Sequence, residues 1–316
     1  MEEKQLTFKE DEISQMLNHA FDLFREGRFP EAASQLEKVL RIDFDYPDVT
    51  ASLKCANFWR ERQERLATIG EPYERGELLL GEWRHFVDFV QRIGGVSEKG
   101  LFSVRQYVFG TALAAYRGLA EQGGYDADLL LRIGRCYKEL GSYDLAIESL
   151  EKANQMKNGV PSVLAELADC YALVGETRSG KIFFREAFFL GAHEIDLSTL
   201  ESGMIQRLVQ RLRGMNLSDA EVREWVPVYG AVYGVLNVKR ELRPLEYGKL
   251  KQSIFRMENQ LETDRQERDL LVPRLLNHYF WLIDHYASTG EERSHVEEVL
   301  ARVKRLDPAI YREYTR

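Results

Sequence analysis

The sequence predicts an all-α protein, an α-solenoid of antiparallel helix pairs with degenerate helical ends. Three observations carry this prediction. Leu130, Ile133, Gly134, Tyr137, Gly141, Leu150 and Ala153 are echoed 34 residues later by Leu164, Leu167, Ala168, Tyr171, Gly175, Phe184 and Ala187, and self-similarity at such a period marks a stack of supersecondary units. Apolar residues recur at helical spacing from Ile13 to Tyr314, with no stretch of strand-like alternation. The 316 residues are 44% hydrophobic and 30% charged with only 8 Pro, a balance that supports long amphipathic helices.

In chain order, residues 1 to about 10 are polar and acidic and read as disordered. A weak copy of the repeat follows at about 13–47. There Ala20, Leu23, Gly27, Phe29, Ala32, Leu36 and Val39 take the places of Gly134, Tyr137, Gly141, Tyr143, Ala146, Leu150 and Ala153. Gly27 closes its first helix and Pro30 opens its second. A helix from Asp48 to Ile69 stops at Gly70-Glu71-Pro72, another from Glu74 to Ile93 stops at Gly94-Gly95, and a third spans Ser97 to Gln122. Together 1–95 form an N-terminal set of hairpins, and 96–214 hold the central repeats, with strong units at about 125–192.

Within the strong units, Gly134 and Ala168 are small because the two helices of a hairpin cross there. Thr177 and Gly180 depart from the pattern set by Tyr143 and Ala146, so the second unit is expected to stack more loosely. Ile195 to Leu212 reads as one helix. Residues 215–316 form a C-terminal helical region. Ser218 and Glu221 make a capping box, Pro227 should kink or break the helix that follows, and Pro244 opens a helix reaching about Glu262. Arg268 to Ser288 is the next helix, the start of a degenerate hairpin at about 275–308, and Pro308 to Tyr314 caps the end. The charge-dense stretch Glu258 to Asp269 reads as a solvent-facing junction.

The residue pattern of the two strong units resembles the tetratricopeptide repeat, and the chain is similar to a bacterial-type tetratricopeptide protein. The resemblance implies a right-handed superhelix whose concave groove is lined by the first helix of each repeat. It maps groove positions onto Asp128, Leu131, Arg135 and Lys138 in one unit, and onto Ser162, Ala165, Asp169 and Ala172 in the next. Family members that grip acidic chaperone tails present Lys, Asn and Arg at such positions. This chain sets Arg135 against Asp169 and lacks the other clamp residues, so the expected ligand is a partner segment of mixed charge. Leu131 is its apolar contact, and Arg135 and Asp169 are its polar readers. The function that follows is a non-enzymatic scaffold for another protein or peptide. A regulator that binds a small peptide or metabolite and changes solenoid curvature is the alternative, motivated by the aromatic C-terminal helices around Trp225, Tyr229, Tyr233, Tyr279, Phe280 and Trp281.

Other chemistries fit less well. The net charge of −8 is concentrated in residues 1–48, with twelve Asp and Glu against six Lys and Arg, so no basic surface for nucleic acid is expected. The start of the chain lacks a basic segment followed by an apolar run, and no apolar stretch has membrane-spanning length. Cytoplasmic residence without membrane insertion is the expectation. Cys55, Cys136 and Cys170 are widely spaced and read as packing residues, without disulfide or zinc spacing. Gly175 to Lys181 has the glycine spacing of a phosphate loop, but Ile182 replaces the required hydroxyl and no strand precedes it. His278 and His285 stand seven apart in an aromatic helix, the wrong spacing for a paired metal site. No catalytic residue, metal ligand or cofactor is expected, and the sequence sets no oligomeric state.

Overall fold

The computed structural model describes residues 2–46, 48–263 and 267–316, and for residues 2–10 only the backbone. Among the described residues there are fifteen α-helices and no strand. The first six are α1 (Glu2–Arg25), α2 (Phe29–Ile42), α3 (Val49–Thr68), α4 (Pro72–Arg92), α5 (Glu98–Gly123) and α6 (Ala127–Glu139). Next come α7 (Tyr143–Met156), α8 (Pro161–Leu173) and α9 (Thr177–Gly191), with a 3-10 turn at Ala192–Glu194. The last six are α10 (Gly203–Arg213), α11 (Asp219–Val232), α12 (Pro244–Thr263), α13 (Arg268–Thr289), α14 (Arg293–Leu306) and α15 (Pro308–Tyr314). The helix expected to start near Ile13 begins instead at Glu2, so the backbone there is helical. Residues 264–266, inside the expected junction, lie outside the described residues.

The helices gather into two compact units, one ending at Ala146 and the other spanning Ile147–Arg316. In the first unit α1 packs on α2 and α5, α2 on α3, and α5 on α4 and α6. Its core is aromatic: Trp59 lies fully buried against Phe29, Phe58 and Phe86, and the ring of Tyr107 stands edge-on to Phe29 at 5.1 Å between centroids. Gly27, at the α1–α2 turn, has φ +75° and leaves no room for a Cβ, which would fall 2.3 Å from the Tyr107 ring. Turn chemistry and close approach demand the same residue.

The second unit begins within α7, and α8 and α9 form its first hairpin. Gly180 sits where the two backbones approach, and a Cβ there would lie 3.0 Å from the Ala168 carbonyl and 3.2 Å from the Ala172 Cβ. The expectation of looser stacking is thus corrected: losing a side chain at 180 lets α9 close onto α8. α10 pairs with α11, and α13 is the hub against α11, α12 and α14. Buried residues run along α13 from Leu271 to Tyr286 on every side, the polar Asn277, His278, Asp284 and His285 among them.

Several local signals match the observed ends. Ser218 accepts from the Glu221 backbone N–H while the Glu221 carboxylate accepts from that of Ser218, completing the capping box. α11 continues past Pro227 to Val232, so the expected early break does not occur. The helix expected from Ile195 starts only at Gly203. Residues 195–202 form a loop because their backbone groups are taken elsewhere. Asp196 accepts from the Ser198 N–H and hydroxyl, and α8 supplies carboxylates to Thr199, Glu201 and Ser202, as described next.

Candidate functional site

The sequence places its candidate site on the first helices of the strong repeats, α6 in the first unit and α8 in the second. On α6, Asp128 is exposed and pairs with Arg132 at 2.6 Å, while the Tyr73 hydroxyl donates to it at 3.3 Å. Arg135 is partly exposed, and Leu131 and Lys138 are buried. On α8, Ser162 is partly exposed whereas Ala165 is buried.

Asp169 requires correction as a groove reader. It is fully buried, and its two carboxylate oxygens accept the backbone N–H groups of Glu201 at 2.7 Å and Ser202 at 2.8 Å. One turn earlier, Glu166 accepts the Thr199 hydroxyl at 2.6 Å. Positions three apart share a helix face, so α8 uses two carboxylates to fasten the loop that leads into α10.

The cysteines are free and buried, and burial pushes the Cys55 and Cys136 thiols up to about 12. That makes them poor nucleophiles. Among the described residues no group of three or more His, Cys, Asp or Glu could hold a metal ion, and no helix is long and apolar enough to cross a membrane.

A second candidate lies wholly in the second unit. Parts of α9, α12, α13 and the 236–243 connection enclose a cleft of about 680 Å³, within the usual size range of ligand pockets. The connection is tied down at several points: Arg185 donates to the Val238 carbonyl, and the Leu242 N–H donates to His285 Nδ1 at 3.2 Å. At the rim Arg240 pairs with Glu186 at 3.3 Å and with Glu246. That hydrogen bond from Arg240 holds the Glu246 carboxyl below its ordinary value and raises the guanidinium in return.

The floor comes from α13. Phe189 of α9 stacks on Trp281 with ring centroids 4.4 Å apart and lies 5.0 Å from the His278 ring. His278 is buried, and its Nδ1 lies 2.8 Å from the Arg274 carbonyl, which can only accept, so Nδ1 carries the proton. Nε2 is then the acceptor, 3.4 Å from the Ser253 hydroxyl. Burial, with help from the Arg274 charge, lowers the His278 pKa to about 4.

This shift makes stability depend on pH. The unfolded state takes up the His278 proton near pH 6.5, the folded state only near 4. The contribution is complete above pH 6.5 and is lost as pH falls towards 4, by at most about 3 kcal/mol. Urea unfolding of wild type and His278→Gln between pH 4 and 7 checks this. The wild type should lose more stability than the variant over that interval, and parallel curves would refute it.

Sequence reasoning missed this cleft because its walls are drawn from residues 158 to 281, with no shared motif. The one local signal was Lys249, Ser253 and Arg256 at helical spacing on α12. In comparison with known families, residues 127–159 match the model of the tetratricopeptide repeat. No curated protein matches the chain.

Proposed function

From a chain that carries a tetratricopeptide repeat, we infer a non-enzymatic scaffold that binds a segment of another protein along the first helices of its repeats. The repeat at residues 127–159 carries this reading, since stacked helix pairs offer extended surfaces for partners and repeats of this kind are interaction modules. In the first unit the partner-contacting positions are Asp128 and Arg135 of α6, which reach solvent, with Leu131 and Lys138 buried in the same helix; in the second unit the position is Ser162 of α8, with Ala165 buried beside it. Asp169 is left out of the contact set, because both its oxygens are engaged in the protein's own loop.

The test is affinity capture with mass spectrometry, using immobilised full-length wild type beside Arg135→Glu and Ser162→Lys. Both substitutions fall at partly exposed positions, where folding tolerates change. A partner held by the wild type and depleted by at least one of the variants is the expected result. Identical partners at unchanged yield would overturn the reading.

A further inference from the structure

We propose that the cleft between α9, α12 and α13 binds a small organic dianion whose charged ends straddle an apolar body. Lys249 and Arg256 are seven residues apart on α12 and both line the cleft. Seven residues are two helical turns, so the two cations stand about 10 Å apart along one wall. Both are exposed, and neither forms an ion pair with a described residue. Arg240, the third cation of the rim, is held between Glu186 and Glu246, a trio with one net negative charge. With Lys249 and Arg256 the lining has three cations against two carboxylates, a net positive charge, and the two cations outside the trio sit at separated points.

Between and opposite those points the lining is apolar. Phe189 and Leu190 of α9, Leu250 of α12 and Trp281 of α13 supply it, and Leu190 is 45% exposed. Ser253 lies between the cations, and its hydroxyl donates to His278 Nε2, so only its oxygen lone pairs face a group bound midway. A ligand with one carboxylate satisfies one cation only. A compact dianion reaches one cation at a time and leaves the apolar wall in water. An elongated dianion uses both ends and buries its middle, and the cavity volume is ample for it.

This binding activity is independent of the scaffold reading, since none of its residues lies on α6 or α8. Calorimetric titration of the full-length protein with suberate, succinate, octanoate and octanediol tests it. Suberate should bind, and more tightly than the other three. Lys249→Gln and Arg256→Gln should each weaken suberate about tenfold, the loss of one charge-assisted bond, and added salt should weaken it further. Circular dichroism checks that both variants remain folded. Binding of octanediol equal to that of suberate, suberate affinity unchanged in the double variant, or no binding of any probe would overturn the proposal. Preferential binding of a single-stranded oligonucleotide, through the same two lysine and arginine positions, would overturn it too.

Discussion

Asp284→Ala is expected to lower the unfolding free energy by about 3 to 5 kcal/mol, the usual cost of breaking a buried ion pair from one side. Arg185 on α9 and Asp284 on α13 pair directly, with each side chain only 9% exposed. The guanidinium also donates to the Val238 carbonyl and stands 4.8 Å over the Trp281 ring. Removing the carboxylate leaves a cation in the interior with one neutral carbonyl and a ring face for company. Neither replaces the lost counter-charge or the water given up on folding.

The paired replacement Arg185→Met with Asp284→Leu should cost far less, because no charge is then stranded. Chemical denaturation followed by circular dichroism on the single and double variants decides the matter. A double variant as unstable as Asp284→Ala would show that the pair contributes through shape rather than charge. The pair also has a positional consequence. It orients the arginine whose second donor fixes Val238, so hydrogen exchange in residues 236–243 should rise in Asp284→Ala as the rim of the cleft loosens.

Most of the helical architecture was legible because helix ends carry local signals. Gly27, Pro244, Pro308 and the Ser218–Glu221 box each act within a turn of their own position, and the observed boundaries fall within a few residues of the expected ones. The signals that misled were those settled by neighbours distant in sequence. Gly180 reads as a defect in isolation, yet it is the contact point with Ala168. Ile195 to Ser202 reads as helix, yet the amides of Glu201 and Ser202 are claimed by Asp169 of α8. Pro227 reads as a kink or an early break, and of the two the break does not occur, since α11 runs on to Val232 while packed on α13. Periodicity reports which face of a helix is apolar, not what covers that face. For the same reason the repeat pattern placed Asp169 on a groove face, although a buried loop lay against it.

Asp169→Ala should therefore act as a core mutation rather than a surface one, with a loss of about 2 to 5 kcal/mol. Two buried amides lose a charged acceptor, and each unsatisfied group costs roughly 1 to 3 kcal/mol. Ser202 is itself buried, so water cannot take the vacated place without opening the loop. Asp169→Asn should recover part of the loss, since its single carbonyl oxygen can accept from one amide but its nitrogen only donates. Glu166 and Thr199 hold the same loop one turn away, so the damage should stay local to residues 195–202 and the start of α10. Hydrogen exchange at Glu201 and Ser202 reads this directly, with protection falling in the order wild type, Asn variant, Ala variant. If Asp169→Ala proves as stable as wild type, with Glu201 and Ser202 still protected, the carboxylate is not what holds the loop.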